Sequence, residues 1–190
     1  MIVGSRDSFG IEYEIAEAFP DGSQRALGYF VIYLVGKAYV VREPEASMLG
    51  CSFEEVENRI GRRGAHRIQR LSDISADLIV EAFLDAIYRE TDRDSYFGHT
   101  KSEFENALCD AHIQWAPDGD EAFDDGSYVL QFDIEDKVRL IAFQNMESPD
   151  DTANSIAEKW IEGDQFYGIL SEWRELFIAD WSDKVRAANP

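Results

Sequence analysis

An acidic loop is the stretch of this sequence whose residue types and spacing come nearest to a metal-binding motif. It reads Asp118-Gly119-Asp120-Glu121-Ala122-Phe123-Asp124-Asp125-Gly126. A calcium loop needs oxygen ligands at alternating positions, glycine at the sixth position and glutamate at the twelfth. Counted from Asp118, the sixth residue is Phe123 and the twelfth is Val129. These departures favour a solvated acidic loop, and we expect no bound metal.

A cysteine thiol beside a histidine could form a catalytic nucleophile pair. The chain has Cys51 and Cys109, and its three histidines, His66, His99 and His112, lie in unrelated contexts. Nothing in the spacing requires a pair, and a packed thiol is the simpler interpretation. The G-x-G-x-x-G, H-E-x-x-H and G-x-S-x-G motifs are absent. We therefore expect no catalytic residue and no cofactor; a small-molecule hydrolase or sensor with a pocket near Cys51 and His66 is the alternative.

The net charge is the most unusual global property of the sequence. It is −20, from 38 acidic and 18 basic side chains. Such a field repels nucleic acid and anionic membranes and attracts cationic partners, so we expect neither nucleic-acid nor membrane binding. The start of the chain lacks a signal-peptide pattern, and the longest apolar run, Ala26 to Val35, is far shorter than the roughly 20 residues that cross a bilayer. These features predict a cytoplasmic protein.

One basic segment interrupts this acidic chain. It spans residues 59–70 and contains His66 and five arginines, Arg59, Arg62, Arg63, Arg67 and Arg70. The simplest interpretation is an intramolecular counterweight to acidic neighbours, and a site for an anion or a partner is the alternative.

The elements that must position these residues begin with an antiparallel meander. From Phe9 to Ile15 apolar and polar residues alternate, which predicts a strand with one solvated face. From Gly28 to Val35 nearly every residue is apolar, which predicts a strand covered on both faces. A short third strand is expected after Gly36-Lys37.

Two long helices are predicted by apolar periodicity. The stretch from Ser75 to Glu90 is apolar except for a polar stripe every four residues, formed by Asp77, Glu81, Asp85 and Arg89. We expect this helix to lie across the sheet of the opening meander. The second helix starts at Gly163-Asp164 and carries an apolar face formed by Phe166, Leu170, Trp173, Phe177 and Trp181. It is expected to close the domain against the sheet.

Shorter signals complete the expected fold. Ser52 and Glu55 have the spacing of a capping box, which predicts a short helix ending at Gly61 or Gly64. A polar loop is expected at 91–102 and a short helical turn at 101–108. Further strands are expected at 112–116, 128–134, 138–144 and 155–161. We therefore predict an α+β fold in which one antiparallel β-sheet of about six strands packs against two to three α-helices, in a single domain covering residues 1–190.

Several of these segments resemble, in order, the immunity protein 42 family. Ile2 to Glu12 resembles the family's start, in which a glycine precedes a Phe-x-Ile strand. Gly28 to Lys37 is similar to its second strand, and Gly50-Cys51-Ser52-Phe53 to its helix start. The closing strand, Gly163 and the last helix resemble its C-terminal pattern. The basic segment and the acidic loop have no counterpart in the family.

The resemblance implies a function. Members of this family are small cytosolic proteins that neutralise toxins of bacterial polymorphic and contact-dependent inhibition systems, without catalytic residues. The leading hypothesis is a non-enzymatic immunity protein that binds a basic toxin C-terminal domain, such as a nuclease, through an acidic surface. An acidic DNA-mimic inhibitor is a further alternative. Local charge density and neighbouring aromatics select the candidate toxin-binding residues, which are Asp118, Asp120, Glu121, Phe123, Asp124, Asp125, Glu147, Asp150, Asp151 and Tyr96.

Overall fold

The computed structural model of the chain describes residues 1–20, 24–44, 47–115 and 121–188. Its strands are β1 (Ile2–Gly4), β2 (Phe9–Ala18), β3 (Ala26–Leu34), β4 (Lys37–Tyr39), β5 (Ser47–Met48), β6 (Ser95–Tyr96), β7 (His99–Thr100), β8 (Ser127–Ile134), β9 (Lys137–Gln144) and β10 (Ala157–Glu162). Its helices are α1 (Leu49–Gly61), α2 (Ala76–Ile87), α3 (Lys101–Asp110), α4 (Pro149–Ser155) and α5 (Gly163–Ala188).

The α+β class with antiparallel pairing is confirmed, but the expected single sheet and two to three helices are wrong. Within the described ranges the strands form three sheets, and there are five α-helices. The first sheet has the order β1-β2-β3-β4, with β5 also pairing with β3; the second has the order β10-β9-β8; and the third is the β6-β7 hairpin. That residues 1–190 form a single domain stays a prediction.

The opening meander forms as its sequence pattern predicts. β2 and β3 pair antiparallel from Phe9 opposite Leu34 to Ala18 opposite Ala26. All of β3 except Leu27 is buried, which confirms that both faces are covered. On the outer face Glu12 is also buried, where its carboxylate accepts hydrogen bonds from Arg6, Arg42 and the Tyr33 hydroxyl. The pattern of alternation therefore underestimates how much of β2 is covered.

α5 covers the inner face of this first sheet. Phe166, Leu170, Trp173 and Phe177 are buried, as the periodicity predicts. The ring of Trp173 lies 5.2 Å from that of Phe30 and 5.8 Å from that of Tyr13, in edge-to-face geometry. Such pairs stabilise a core by more than their buried area alone.

α2 packs on the other sheet, which corrects the prediction that it lies across the opening meander. Its buried side chains share a core with Leu130 and Phe132 of β8 and with Ile141 and Phe143 of β9. Because α5 and α1 already fill the inner face of the first sheet, the apolar surface of α2 is buried on the second. Periodicity identifies a helix that must be covered, but it does not name the sheet that covers it.

Two local predictions also fail. Met48 rather than Ser52 is the N-cap of α1, and Ser52 is buried inside the helix, whereas a capping box joins Thr100 and Glu103 at the start of α3. The strand expected at 112–116 is reduced to one bridge between Gln114 and Leu130. His112 has a φ of 47°, which interrupts an extended conformation.

Gly28 is expected to tolerate no side chain. A Cβ at this position would lie 1.8 Å from the main-chain oxygen of Glu14 in the neighbouring strand β2. Because backbone cannot move aside as a side chain would, we expect Gly28→Ala to lower the free energy of unfolding by about 3 kcal/mol. Urea denaturation measures this change.

A matched glycine substitution provides the control. Gly168 is exposed in α5, and a Cβ there would meet no atom within 4 Å. Gly168→Ala is expected to raise the free energy of unfolding by roughly 0.5–1 kcal/mol, because it removes a helix-interior glycine. Equal effects of the two substitutions would contradict the close strand approach at Gly28.

Candidate toxin-binding surface

The β8-β9 hairpin brings two predicted acidic segments to the same end of the second sheet. Ser127 at the start of β8 pairs with Gln144 at the end of β9. Asp124 and Asp125 precede this pair, whereas Glu147, Asp150 and Asp151 follow it, and all five side chains are exposed. We call these five carboxylates the acidic surface.

Direct hydrogen bonds connect the two segments. The main-chain N–H of Asn145 donates to the Gly126 oxygen at 2.8 Å, and the Gln144 side-chain amide donates to the Asp125 carboxylate at 3.4 Å. The strand register therefore joins residues that lie 19 positions apart in the sequence, as local charge density alone could not show.

Helix α4 positions Asp150 and Asp151. The hydroxyl of Ser148 caps the helix by accepting from the Asp151 N–H, and Pro149 occupies the first turn. Both aspartates lie in this first turn, where the helix dipole favours negative charge. The sequence prediction missed α4, although Ser-Pro-Asp-Asp is a clear helix-start signal.

The other end of α4 is fixed by the first sheet. The ammonium group of Lys37 donates to the main-chain oxygens of Asn154 and Ser155 at 2.9 and 3.3 Å, and the Tyr39 hydroxyl donates to Ser155 at 2.8 Å. A groove of about 480 Å³ runs beside these contacts and is lined by Asp151 and by Met146, which is 43% exposed. The Asp151 carboxylate on α4 thus lies close to the apolar side chain of Met146, which precedes the helix.

A cleft between α2 and α4 extends the negative charge. Three carboxylates and one guanidinium, that of Arg89, line it above apolar side chains, and its volume is about 290 Å³. The carboxylates are those of Asp77, Glu81 and Asp150, and Arg89 pairs with Asp85. A hydrogen bond from Ser75 lowers the pKa of Asp77, so this carboxylate is ionised at neutral pH. The polar stripe of α2 was the sequence signal for Asp77 and Glu81, but it did not indicate that α4 would lie opposite.

The acidic surface carries little charge compensation. None of its five carboxylates forms an ion pair with a cation within residues 1–20, 24–44, 47–115 and 121–188. Exposed, unpaired carboxylates create a local field that attracts cations. In the same described ranges, no group of three or more His, Cys, Asp or Glu side chains is arranged to hold a metal ion.

The remaining predicted residues have different positions. Tyr96 is fully buried, with its ring 5.4 Å from that of Phe104, so its side chain is not exposed for a partner as predicted. Phe123 is half-buried and packs against two separate clusters of buried apolar side chains, both of which include residues of β3 in the first sheet. Glu121 begins a 3-10 turn that ends at Phe123, while Asp118 and Asp120 lie outside the described residues.

The basic segment makes mostly internal contacts. Arg59 is buried, with its guanidinium bonded to the Glu55 carboxylate at 2.6 Å and stacked 4.5 Å from the Trp115 ring centre. Arg63 pairs with Asp164 at the start of α5. For these two arginines the structure agrees with the expected counterweight to acidic neighbours.

A buried polar network lies next to Arg59. The Asp133 carboxylate accepts hydrogen bonds from the Tyr167 hydroxyl, the Gln131 amide and the Gly64 N–H. Burial, reinforced by the charge of Asp133, raises the pKa of Tyr167. Burial, reinforced by the charge of Arg59, lowers the pKa of His66, so its imidazole is neutral at pH 7.

The nucleophile pair considered from the sequence does not form. Cys51 lies in the first turn of α1, and His66 lies beyond the last residue of that helix. The Cys51 side chain is exposed rather than packed as expected, whereas the His66 side chain is fully buried. The His66 ring is instead buried beside the main-chain oxygens of Ala111 and His112, both 3.0 Å from Nδ1.

Comparisons with known proteins give the family. A model of the family described as immunity protein 42 matches residues 1–176. The crystal structure of CdiI from Burkholderia dolosa AUO158 is similar in fold, with a TM-score of 0.55 and 14% identity over 90% of this chain and 97% of that chain. A comparison with curated protein sequences finds no match. The resemblance predicted from the sequence is therefore confirmed, and the chain belongs to the immunity protein 42 family.

Proposed function

We propose that this immunity protein binds the C-terminal domain of a cognate bacterial toxin through the acidic surface and so neutralises it. The observation that carries this proposal is the convergence of five exposed carboxylates, none of them in an ion pair with another described residue, on one end of the β8-β9 hairpin. The family assignment supports toxin neutralisation, and the acidic surface supplies a place for it.

The proposed partner is basic. Complementary charge accelerates association by 10-fold to 1,000-fold and disfavours wrong partners. A nuclease is the toxin class that fits best, because a nuclease needs a cationic surface to bind the phosphates of its substrate. The acidic surface of this chain would cover that cationic surface. Met146, exposed beside Asp151, would add apolar contact at the centre of such an interface.

The proposed mode of action is binding without catalysis. Cys51 is exposed whereas His66 is fully buried, and the Tyr167 hydroxyl and the Gln131 amide are hydrogen-bonded to Asp133. No helix of the described residues has the length and apolar character needed to span a membrane. We propose that the protein meets its toxin in the cytoplasm, where a toxin delivered into the cell would act.

Co-expression with the neighbouring toxin gene tests this function. The toxin domain alone is expected to arrest growth, and the chain is expected to restore growth and to copurify with the toxin in about equal amounts. The matched control is an unrelated toxin from the same class, which the chain should not neutralise. The proposal fails if the neighbouring gene product is harmless by itself and does not copurify with this chain.

A further inference from the structure

A second charged site lies at the other end of the β8-β9 hairpin. The basic segment contacts this end through two hydrogen bonds. The main-chain N–H of Gly64 donates to the Asp133 carboxylate at 2.6 Å, and the main-chain N–H of Asp133 donates to the main-chain oxygen of His66 at 2.7 Å. Asp133 lies six positions after Ser127 in β8, which corresponds to about 20 Å at the rise per residue of a β-strand. The turn at this end also carries two exposed carboxylates, Glu135 and Asp136, so charges of both signs meet here.

A cleft beside the basic segment is lined by two arginine side chains. Arg67 and Arg70 contribute to its wall together with the His99 ring, and its volume is about 500 Å³. Ile68 and three alanines, Ala65, Ala107 and Ala111, supply apolar lining. This volume is within the range of small-molecule sites, which combine apolar walls with a few polar groups.

The positive charge of the cleft is only partly balanced. The Arg67 side chain makes no hydrogen bond or ion pair within the part of the chain that the structure describes, and the Arg70 guanidinium donates to the main-chain oxygens of Phe97 and Gly98 rather than to a carboxylate. Asp110 is the acidic side chain that lines the cleft. The nearby Glu103 carboxylate accepts hydrogen bonds from Thr100 in the capping box of α3 and also interacts electrostatically with Arg70, although it forms no ion pair with it among the described residues.

The hairpin turn between β6 and β7 holds Arg70 in place. Phe97 and Gly98 both have positive φ, of 53° and 81°, as a tight hairpin turn requires. A Cβ on Gly98 would lie 2.6 Å from Nη1 of Arg70. The hairpin turn thus holds the Arg70 guanidinium in position before a ligand binds, which reduces the side-chain conformational entropy lost on binding.

We propose that this cleft binds a small phosphate-bearing ligand. A phosphate monoester carries nearly two negative charges at pH 7 and matches two guanidiniums better than a single carboxylate would. The phosphate contacts Arg67 and Arg70 with His99 beside them, and the organic part lies against Ile68 and the alanines. This site is separate from the acidic surface and does not depend on the proposed toxin binding.

Calorimetric titration of the full chain with inorganic phosphate and with adenosine monophosphate tests the site. Both probes are expected to bind saturably, and tighter binding of the nucleotide would place its organic part on the apolar wall. Arg67→Gln and Arg70→Gln are each expected to weaken binding about tenfold, as for the loss of a charge-assisted hydrogen bond. Arg186→Gln removes the same charge from the far end of α5 and is expected to leave binding unchanged.

The outcomes separate a site from general attraction. Thermal unfolding without ligand checks that each variant is folded. Because the Arg67 side chain forms no hydrogen bond or ion pair with the other described residues, Arg67→Gln is expected to affect stability least. The proposal is overturned if the unsubstituted chain shows no saturable binding. It is equally overturned if Arg186→Gln weakens binding as much as Arg67→Gln does, because the interaction would then follow net charge alone.

Discussion

Removing three carboxylates from the acidic surface is expected to slow association with the toxin about tenfold at low ionic strength. The variant combines Glu147→Gln, Asp150→Asn and Asp151→Asn. These side chains are exposed and lack a cationic partner within the described residues, so their field acts on an approaching basic protein. Long-range attraction mainly raises the association rate, and it weakens as salt is added. Stopped-flow or surface-binding kinetics over a range of salt concentrations measures the effect.

A charge-matched control distinguishes a local surface from the net charge of −20. Glu54→Gln, Glu172→Gln and Asp183→Asn remove the same three charges from exposed positions on α1 and α5. This control variant is expected to associate within about twofold of the unsubstituted chain, because the removed charges lie away from the proposed interface. Equal slowing by both variants would assign the attraction to overall charge and would contradict a localised binding surface.

Replacing Arg59 with methionine is expected to lower the free energy of unfolding by about 3–5 kcal/mol, the cost of breaking a buried ion pair by removing one partner. The Arg59 side chain is 1% exposed. Its guanidinium donates to Glu55, to Gln131 and to the main-chain oxygens of two residues, His112 and Gln114. Methionine fills much of the same volume but leaves these acceptors without a donor. Urea denaturation followed by circular dichroism gives the free energy.

Two further substitutions locate the cause of this loss. Arg59→Lys keeps the charge but lacks the planar fork that reaches several acceptors, so an intermediate loss is expected. Arg67→Gln, an exposed change in the same basic segment, is expected to alter the free energy by less than about 0.5 kcal/mol. A loss below 1 kcal/mol for Arg59→Met would show that the buried network contributes little to stability.

The sequence was informative wherever one element carried its own pattern. The apolar face of α5 is buried at Phe166, Leu170 and Trp173, and the uninterrupted apolar run of β3 is covered on both faces. The glycine at position 61 located the end of α1, and apolar periodicity located both ends of α2 to within a few residues. These features depend on local geometry, which a pattern of residue types records directly.

The predictions failed where the answer depended on tertiary contacts. The sheet that α2 covers and the burial of Tyr96 both follow from neighbours distant in the sequence. The acidic surface was predicted in part, because charge density identified Asp124, Asp125 and the 147–151 segment. Their convergence required the β8-β9 register, and the contribution of Asp77 and Glu81 required the position of α4.

Hydrogen–deuterium exchange of the chain with and without its toxin tests the central claim most directly. If the toxin binds the acidic surface, amide exchange should slow at residues 124–127 and 144–155, while the exposed faces of α1 and α5 stay unchanged. Slower exchange confined to α1 and α5, with none at residues 144–155, would contradict the account and would place the toxin on the opposite side of the first sheet.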